Sequence, residues 1–447
     1  MLSGKKIVVL GAAESGTGAA VLAGKEGYNV FVSDLARIKP EYKEILATKK
    51  IEFEEGTHTW EKILDADEII KSPGIPDSAE VMVKVKAKKI PVVSEIEFGA
   101  RFTKAKMICI TGTNGKTTTT LLTHHILKKA GLNAGLAGNV GKSFAMQIAE
   151  GQKDFFVLEL SSFQLDDMHR FKADIAIMLN ITPDHLDRYD YSFQKYINSK
   201  FRITQNQTEK DAFIFCADDH HIITELVKIN PEITLYPFSI KKEEGMSAYV
   251  KENQLNINIK KNPLRMSIFE LALKGKHNLY NSMAAGIAAR LIDIKNEVIR
   301  ESLSDFDNIE HRLERVNTVH GIEFINDSKA TNVNSAWYAL ESMQKPVIWI
   351  AGGIDKGNDY SLLRDLVKEK VKAIICLGKD NKKIHKAFGD VVKDITDVES
   401  AADAVHVAYS KGKKGDAVLL SPACASFDLF TSYEDRGRQF KAAVRAL

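Results

Sequence analysis

The 447-residue chain carries 62 basic and 59 acidic side chains, for a net charge of +3. That length asks for two or three domains with cores of ordinary size, and the near-balance of charge leaves no electrostatic footprint for nucleic acid. No apolar run approaches the roughly 20 residues needed to cross a bilayer, so a cytoplasmic protein with no membrane partner is expected.

The N-terminal stretch KKIVVLGAAESGTGAAVLAGKEGYNVFVSD reads as a strand, a glycine-rich turn, a helix and a second strand ending at Asp34. This is a Rossmann-like unit. Its glycines, Gly11, Gly16 and Gly18, do not follow the GxGxxG spacing. The turn therefore points to a nucleotide or sugar-nucleotide, steadied by an acid after the second strand, more than to NAD. A short strand EII leads into the turn KSPGIP, and VVSEIEFGARFTKA connects to the next segment.

There MICI is a short apolar strand, and TTTTLLTHHILKKAG is a helix that Gly131 stops. Between them lies TGTNGKT, with Ile110 where the generic phosphate loop has glycine. Gly112 and Gly115 let backbone N–H groups crowd a phosphate at a helix N-terminus. Lys116 reaches the outer phosphates, and the Thr117 hydroxyl can ligate Mg²⁺. Strands follow at FFVLEL, DIAIMLN and DAFIFCADD. From HRLERV onward, strands at GIEFINDS, KPVIWIAGG, AIICLGK and AVLLSPA alternate with helical stretches.

The pattern predicts an α/β protein of three domains: a Rossmann-like domain over 1–96, a central P-loop ATPase-like domain with a mainly parallel sheet over 97–308, and a second Rossmann-like domain over 309–447. Cys109, Cys216, Cys376 and Cys424 are scattered without a CxxC pair and read as reduced residues, not as a zinc site or disulfide framework.

In parallel sheets, ligands bind beyond the carboxyl ends of the strands, and the polar residues cluster there. Glu159 precedes SSFQ, Asn180 precedes TPDHLDR, GIEFIN runs into Asp327, Ser328 and Lys329, KPVIWIAGG is followed by Asp355 and Lys356, and AVLL by Ser421. Glu159 and His185 offer oxygen and nitrogen ligands to a divalent metal beside ATP, with Asp184 and Asp187 as alternatives. A nucleotide-hydrolysing switch would need only the central domain and a guanine-reading NKxD, which is missing. The third domain brings a second substrate, which favours synthesis.

Together TGTNGKT, LAGNVG, LELSSFQL, ITPDHLDRY, GKHNLYN, HRLE, NDSKATN and LLSPACASFD, in that order, resemble the Mur ligase family over essentially the whole chain. The resemblance implies ATP-dependent ligation of D-glutamate to UDP-N-acetylmuramoyl-L-alanine through an acyl phosphate, by a cytoplasmic monomer of peptidoglycan-precursor synthesis. It implies that Gly112, Thr113, Asn114, Gly115, Lys116, Thr117 and Thr118 cradle the phosphates, with Asn278, Arg312 and Asp327 on the adenosine side. Thr117, Glu159, His185 and a carbamylated Lys200 would serve two Mg²⁺ ions, making Lys116, His185 and Lys200 the catalytic set. The UDP-substrate would meet Asn139, with Ser15, Asp34 and Arg37 at uridine or diphosphate. Lys329, Thr331, Lys356, Ser421 and Phe427 would form the D-glutamate pocket.

Overall fold

The computed structural model describes residues 4–228, 232–306 and 310–447. The chain divides into two compact units. One comprises Met1–Glu270 and Tyr280–Ser304; the other comprises Leu271–Leu279 and Asp305–Leu447. The first unit holds two sheets and the second holds one.

The first sheet contains β1 (Lys6–Leu10), β2 (Asn29–Asp34), β3 (Glu52–Glu55), β4 (Glu68–Lys71) and β5 (Val92–Ser94), in the order β3-β2-β1-β4-β5. All its pairings are parallel, as the expected Rossmann-like domain requires. The glycine turn has a packing explanation. A Cβ on Gly16 would fall 1.8 Å from Gly11 O, and one on Gly18 would fall 1.9 Å from Ser143 Oγ. These glycines let the helix Glu14–Lys25 lie against its own turn and against the start of the helix Phe144–Glu150.

In the connecting segment SEIEFG, Glu95 and Glu97 are buried. Glu95 Oε1 accepts from Ser143 Oγ at 2.5 Å and from Ala145 N at 2.8 Å. The Glu97 carboxylate accepts from the N–H groups of His169, Arg170 and Phe171 at 2.8–3.1 Å. Buried carboxylates are tolerated only when hydrogen-bonded in this way, and the two acids fasten the first sheet's connector to the second-sheet region.

The second sheet contains β6 (Lys106–Thr111), β7 (Ala134–Gly138), β8 (Phe155–Glu159), β9 (Ile175–Met178), β10 (Ala212–Cys216), β11 (Thr234–Ser239), β12 (Ala248–Lys251), β13 (Gln254–Ile257) and β14 (Leu264–Ser267). Their order is β14-β13-β12-β11-β10-β9-β6-β8-β7. It is parallel except at β12-β13 and β13-β14. Buried apolar strands such as IAIM and AFIFC make its centre, as parallel strands covered on both faces should.

The third sheet contains β15 (Glu314–Val319), β16 (Ile322–Asn326), β17 (Val347–Ala351), β18 (Val371–Leu377), β19 (Ile395–Val398) and β20 (Ala417–Leu420), in the order β15-β16-β20-β17-β18-β19. Only β15 is antiparallel, joined to β16 through His320 and Gly321, both at positive φ. All four cysteines are buried and free. The donor atoms of Cys376, His385 and Asp397 lie within 4.8 Å of one another. Burial and Asp397 push the Cys376 thiol above its usual range, and His385 pairs with the Asp397 carboxylate at 3.0 Å.

Candidate functional site

In the first unit the site grows from three neighbouring strands, β9, β6 and β8. The phosphate loop leaves β6. The stretch Asn180–His185 follows β9, and Glu159 ends β8. The loop is fixed from the β9 side. Thr113 N donates to Asn180 O at 2.9 Å, Asn114 N donates to Asn180 Oδ1 at 2.8 Å, and Asn180 Nδ2 returns to Asn114 O at 3.0 Å. The Thr113 hydroxyl donates to Thr182 O at 3.0 Å and accepts from Thr182 N at 2.9 Å.

Gly112 and Gly115 have φ of +148° and +86°, and a Cβ on Gly115 would meet Asn281 Oδ1 at 2.5 Å. Only glycine suits such a position. The helix Lys116–Lys129 starts directly at this turn, with Thr117 and Thr118 buried in its first turn, so its free N–H groups and positive dipole end face the loop.

Two ammonium groups converge here. Lys116 Nζ donates to Gly112 O and Thr113 O, each at 2.9 Å. Lys200, 1% exposed in the helix Phe193–Phe201, donates to Gly112 O at 2.9 Å. Burial first, then the charge of Lys116, push the Lys200 ammonium well below the usual lysine range, against Asp184, Asp166 and Glu159.

Glu159 is 1% exposed. Its Oε1 accepts from Asn139 Nδ2, and its backbone oxygen accepts from Asn139 N, each at 2.8 Å. Asn139, expected on the UDP-substrate, thus also orients a candidate metal ligand. His185 sits at φ +51°, with Nε2 3.8 Å from Asp184 Oδ2 and its ring 5.2 Å from that of Phe163. Of the two alternative acids, Asp184 faces this cluster while Asp187 is exposed. A cavity of about 380 Å³ lies alongside, lined by Lys71, Phe163, Asp166, Arg188 and Arg202 among others. The Arg188 guanidinium lies 4.5 Å above the Phe163 ring.

At the first sheet, Asp34 accepts from Ala12 N at 2.7 Å and Ala36 N at 2.9 Å. It braces the glycine turn from the end of β2. Ser15 is the second residue of the following helix and is half-buried, and Arg37 is exposed.

In the second unit the neighbouring strands β16, β20 and β17 provide the ends. Asp327 and Ser421, expected in different subsites, are directly bonded: Ser421 Oγ donates to Asp327 Oδ2 at 2.9 Å. Leu313 N, beside Arg312, donates to Asp327 Oδ1 at 3.2 Å. Burial pushes the Asp327 carboxyl up to about 7, against the Ser421 hydroxyl, Arg312, Leu313 N–H and Arg436. Asn278 is buried and donates to Lys274 O at 2.8 Å. Next to it, burial and Arg312 hold His277 down at about 4.

Lys329 and Thr331 follow β16 within one turn, the Lys329 ammonium 5.2 Å from the Tyr433 ring. Lys356 and Phe427 lie on the loops after β17 and β20, and both are exposed, Phe427 by 69%. Ile354 and Ala425 bridge those loops by hydrogen bonds of 2.9 and 3.2 Å.

Phe163, Tyr196, Arg188 and Asn281 line or brace the site without any sequence signal that singles them out. The first two stand inside SSFQ and FQKYINSK, where an aromatic reads as core. Tyr196 OH lies 3.2 Å from Thr113 Oγ1, a contact between segments far apart in the chain.

Three family descriptions match the chain: the MurD N-terminal domain over residues 6–81, the Mur ligase middle domain over 110–289, and the Mur ligase glutamate ligase domain over 311–424. A UDP-N-acetylmuramoylalanine–D-glutamate ligase of Bacteroides fragilis is 58% identical over 446 residues, covering 99% of this chain and all of that one. A protein of the same name from Porphyromonas gingivalis is 55% identical, with 98% of each chain covered. Among solved structures, a pseudomurein peptide ligase type C from Methanothermus fervidus shares the fold with a TM-score of 0.64 at 20% identity, and the UDP-N-acetylmuramate-alanine ligase MurC of Thermotoga maritima does so at 0.63 and 18%. Both alignments cover 99% of each chain.

Proposed function

The chain belongs to the Mur ligase family, and from that premise we infer that it joins D-glutamate to UDP-N-acetylmuramoyl-L-alanine with ATP, in cytoplasmic peptidoglycan-precursor synthesis. The observation that carries this reading is the full-length identity with relatives named for that ligation. We assign 1–96 to the UDP-substrate, 97–308 to ATP and 309–447 to the amino acid.

A carboxylate resists attack by an amine because the group displaced would be oxide. In the reaction proposed, a carboxylate oxygen of the substrate attacks the γ-phosphorus of ATP, and the bond to ADP breaks. The D-glutamate amine, having lost a proton, then attacks the acyl carbon. The C–O bond to phosphate breaks, and the amide, ADP and phosphate leave. The phosphoryl group is spent to create a leaving group, so the protein's part is positioning and charge neutralisation.

Lys116 would lie against the outer phosphates as their charge grows, and the glycine cradle admits them where a Cβ would intrude. Thr117, Glu159 and His185 present a hydroxyl, a carboxylate and an imidazole from the segment after β6, the end of β8 and the segment after β9; the two oxygen donors suit Mg²⁺, and the imidazole adds a nitrogen donor for a divalent ion. Mg²⁺, when bound, would supply Lewis-acid stabilisation of the phosphoryl oxygens. Lys200 as a bare ammonium would repel such an ion. Its burial and its charged neighbour favour the neutral amine, whose lone pair can attack CO₂ with loss of a proton to give a carbamate. That carboxylate on a long arm is the role we assign it.

In the third domain we assign Lys329, Thr331, Lys356, Ser421 and Phe427 to D-glutamate, whose two carboxylates suit two ammonium groups. Asn278, Arg312 and Asp327 are assigned to adenosine, and Ser15, Asp34 and Arg37 to uridine or diphosphate. ADP release measured with UDP-N-acetylmuramoyl-L-alanine and a panel of amino acids tests the reading. D-glutamate alone should support turnover; activity only with a diamino acid or L-alanine would place the chain elsewhere in the family.

A further inference from the structure

Arg436, in the C-terminal helix Tyr433–Arg445, is 1% exposed. Arginine is seldom buried so fully unless its charge is paired. Among the described residues, its hydrogen bonds instead go to a hydroxyl and to backbone carbonyls. Nε donates to Ser328 Oγ at 3.0 Å and Nη2 to Ser328 O at 2.9 Å. Both terminal nitrogens donate to Cys424 O at 3.3 Å, and Nη1 reaches Gly352 O at 3.5 Å.

Those acceptors stand on three different loops, after β16, β20 and β17. The same loops carry Lys329, Ser421 and Lys356. A planar fork of five donors can hold three loops at once, which a lysine ammonium on a flexible stem does less well.

The helix itself is seated to make this contact. A Cβ on Gly437 would fall 2.2 Å from His311 Nδ1, so glycine lets the helix lie against the HRLE turn. Ser328 Oγ also donates to Tyr433 O at 2.8 Å, and the Tyr433 ring faces the Lys329 ammonium. Burial holds Arg436 down at about 10, against the pull of Cys424, Asp428 and Asp327, so it stays charged at neutral pH. Apolar side chains of similar volume often replace buried charges without loss of stability. A bare core role therefore explains neither the charge nor the choice of acceptors.

We propose that Arg436 is a positioning residue for the amino-acid substrate: it fastens the loops after β16, β17 and β20 at one spacing, and so sets the fit for D-glutamate without touching it. The inference rests on the assignment of those loops to D-glutamate.

The test is steady-state kinetics of the full chain with Arg436→Met, Arg436→Lys and Ser328→Ala, beside Lys356→Ala and Ser421→Ala, with circular dichroism for each. Arg436→Met should raise KM for D-glutamate tenfold or more, while KM for ATP and for the UDP-substrate stays within twofold. Arg436→Lys should recover part of that loss, and Ser328→Ala should show the same split at a few-fold. If Arg436→Met does not fold, Ser328→Ala and Arg436→Lys decide. Equal rises in all three KM values, or a loss of thermal stability alone, would overturn the positioning role. If Lys356→Ala and Ser421→Ala raise KM for D-glutamate while the Arg436 and Ser328 variants do not, the role fails and the pocket stands. If none of the variants does so, the pocket assignment itself falls.

Discussion

Lys116 and Lys200 donate to the same oxygen, Gly112 O, each at 2.9 Å. Two ammonium ions sharing one acceptor repel each other, and the repulsion is strong where water is excluded. The conflict is relieved most cheaply at Lys200, which is buried, while Lys116 is half-buried. Burial and the neighbouring Lys116 charge both push the Lys200 ammonium below the usual lysine range, which is the asymmetry the proposed division of roles between the two lysines rests on.

For Lys116→Ala, ligation should fall by several hundredfold or more with the far-ultraviolet circular dichroism unchanged. Losing a charge contact to a developing phosphoryl transition state costs roughly 3–4 kcal/mol of barrier. Turnover near the parent level would remove the loop from the chemistry.

Lys200→Ala should be nearly inactive and should regain part of its activity in millimolar amounts of a small carboxylic acid, which can stand where the carbamate would. Mass spectrometry of the native protein in bicarbonate should show a labile gain of CO₂ that the variant lacks. Full activity of Lys200→Ala in CO₂-depleted buffer would refute the carbamate.

Lys356→Ala and Ser421→Ala are expected to raise KM for D-glutamate about tenfold and KM for ATP by less than twofold. Loss of a charged hydrogen-bonding partner is felt in the binding of the group it holds. Parallel rises in both constants would argue against a separate amino-acid pocket.

The pH dependence of stability should reveal Glu95. Burial raises its carboxyl from 4.5 to about 7, against hydrogen bonds from Ser143, Ala145 and Phe144. The folded state thus binds the proton more tightly than the unfolded chain, and stability falls as pH rises from about 4.5 to about 7. The full shift corresponds to about 3 kcal/mol. Urea unfolding at pH 5.5 and 7.5 should show a smaller drop for Glu95→Gln than for the parent chain; identical drops would mean that Glu95 ionises as freely as an exposed acid.

Much of this architecture is visible in the sequence, because the central parallel strands are apolar runs that end abruptly in polar residues. IAIM, KMICIT and VIWIA declare themselves, and so do the residues after them. The edges do not. β3 is EFEE and β19 is ITDV, too short and polar to register. The β12-β13 hairpin turns at Glu252 and Asn253, both at positive φ, without the glycine that usually signals such a turn.

The site shows the same division. Residues within one loop, such as Gly112 and Lys116, can be placed from spacing alone. The bond between Asp327 and Ser421 spans 94 residues and exists because β16 and β20 are neighbours, an adjacency that strand order alone decides. Glu95, Glu97 and Arg436 were hidden for the opposite reason: a charged residue in a sequence reads as surface, and only packing shows it buried.

The central claim is that ATP is consumed to activate the substrate carboxylate. It is tested most directly by labelling that carboxylate of UDP-N-acetylmuramoyl-L-alanine with ¹⁸O and analysing the phosphate released during turnover with D-glutamate. The acyl-phosphate route transfers one substrate oxygen to each phosphate, so each phosphate formed should carry one label when both carboxylate oxygens are enriched. Phosphate free of ¹⁸O, with label retained in the uncoupled substrate, would contradict it and reduce the activity to hydrolysis.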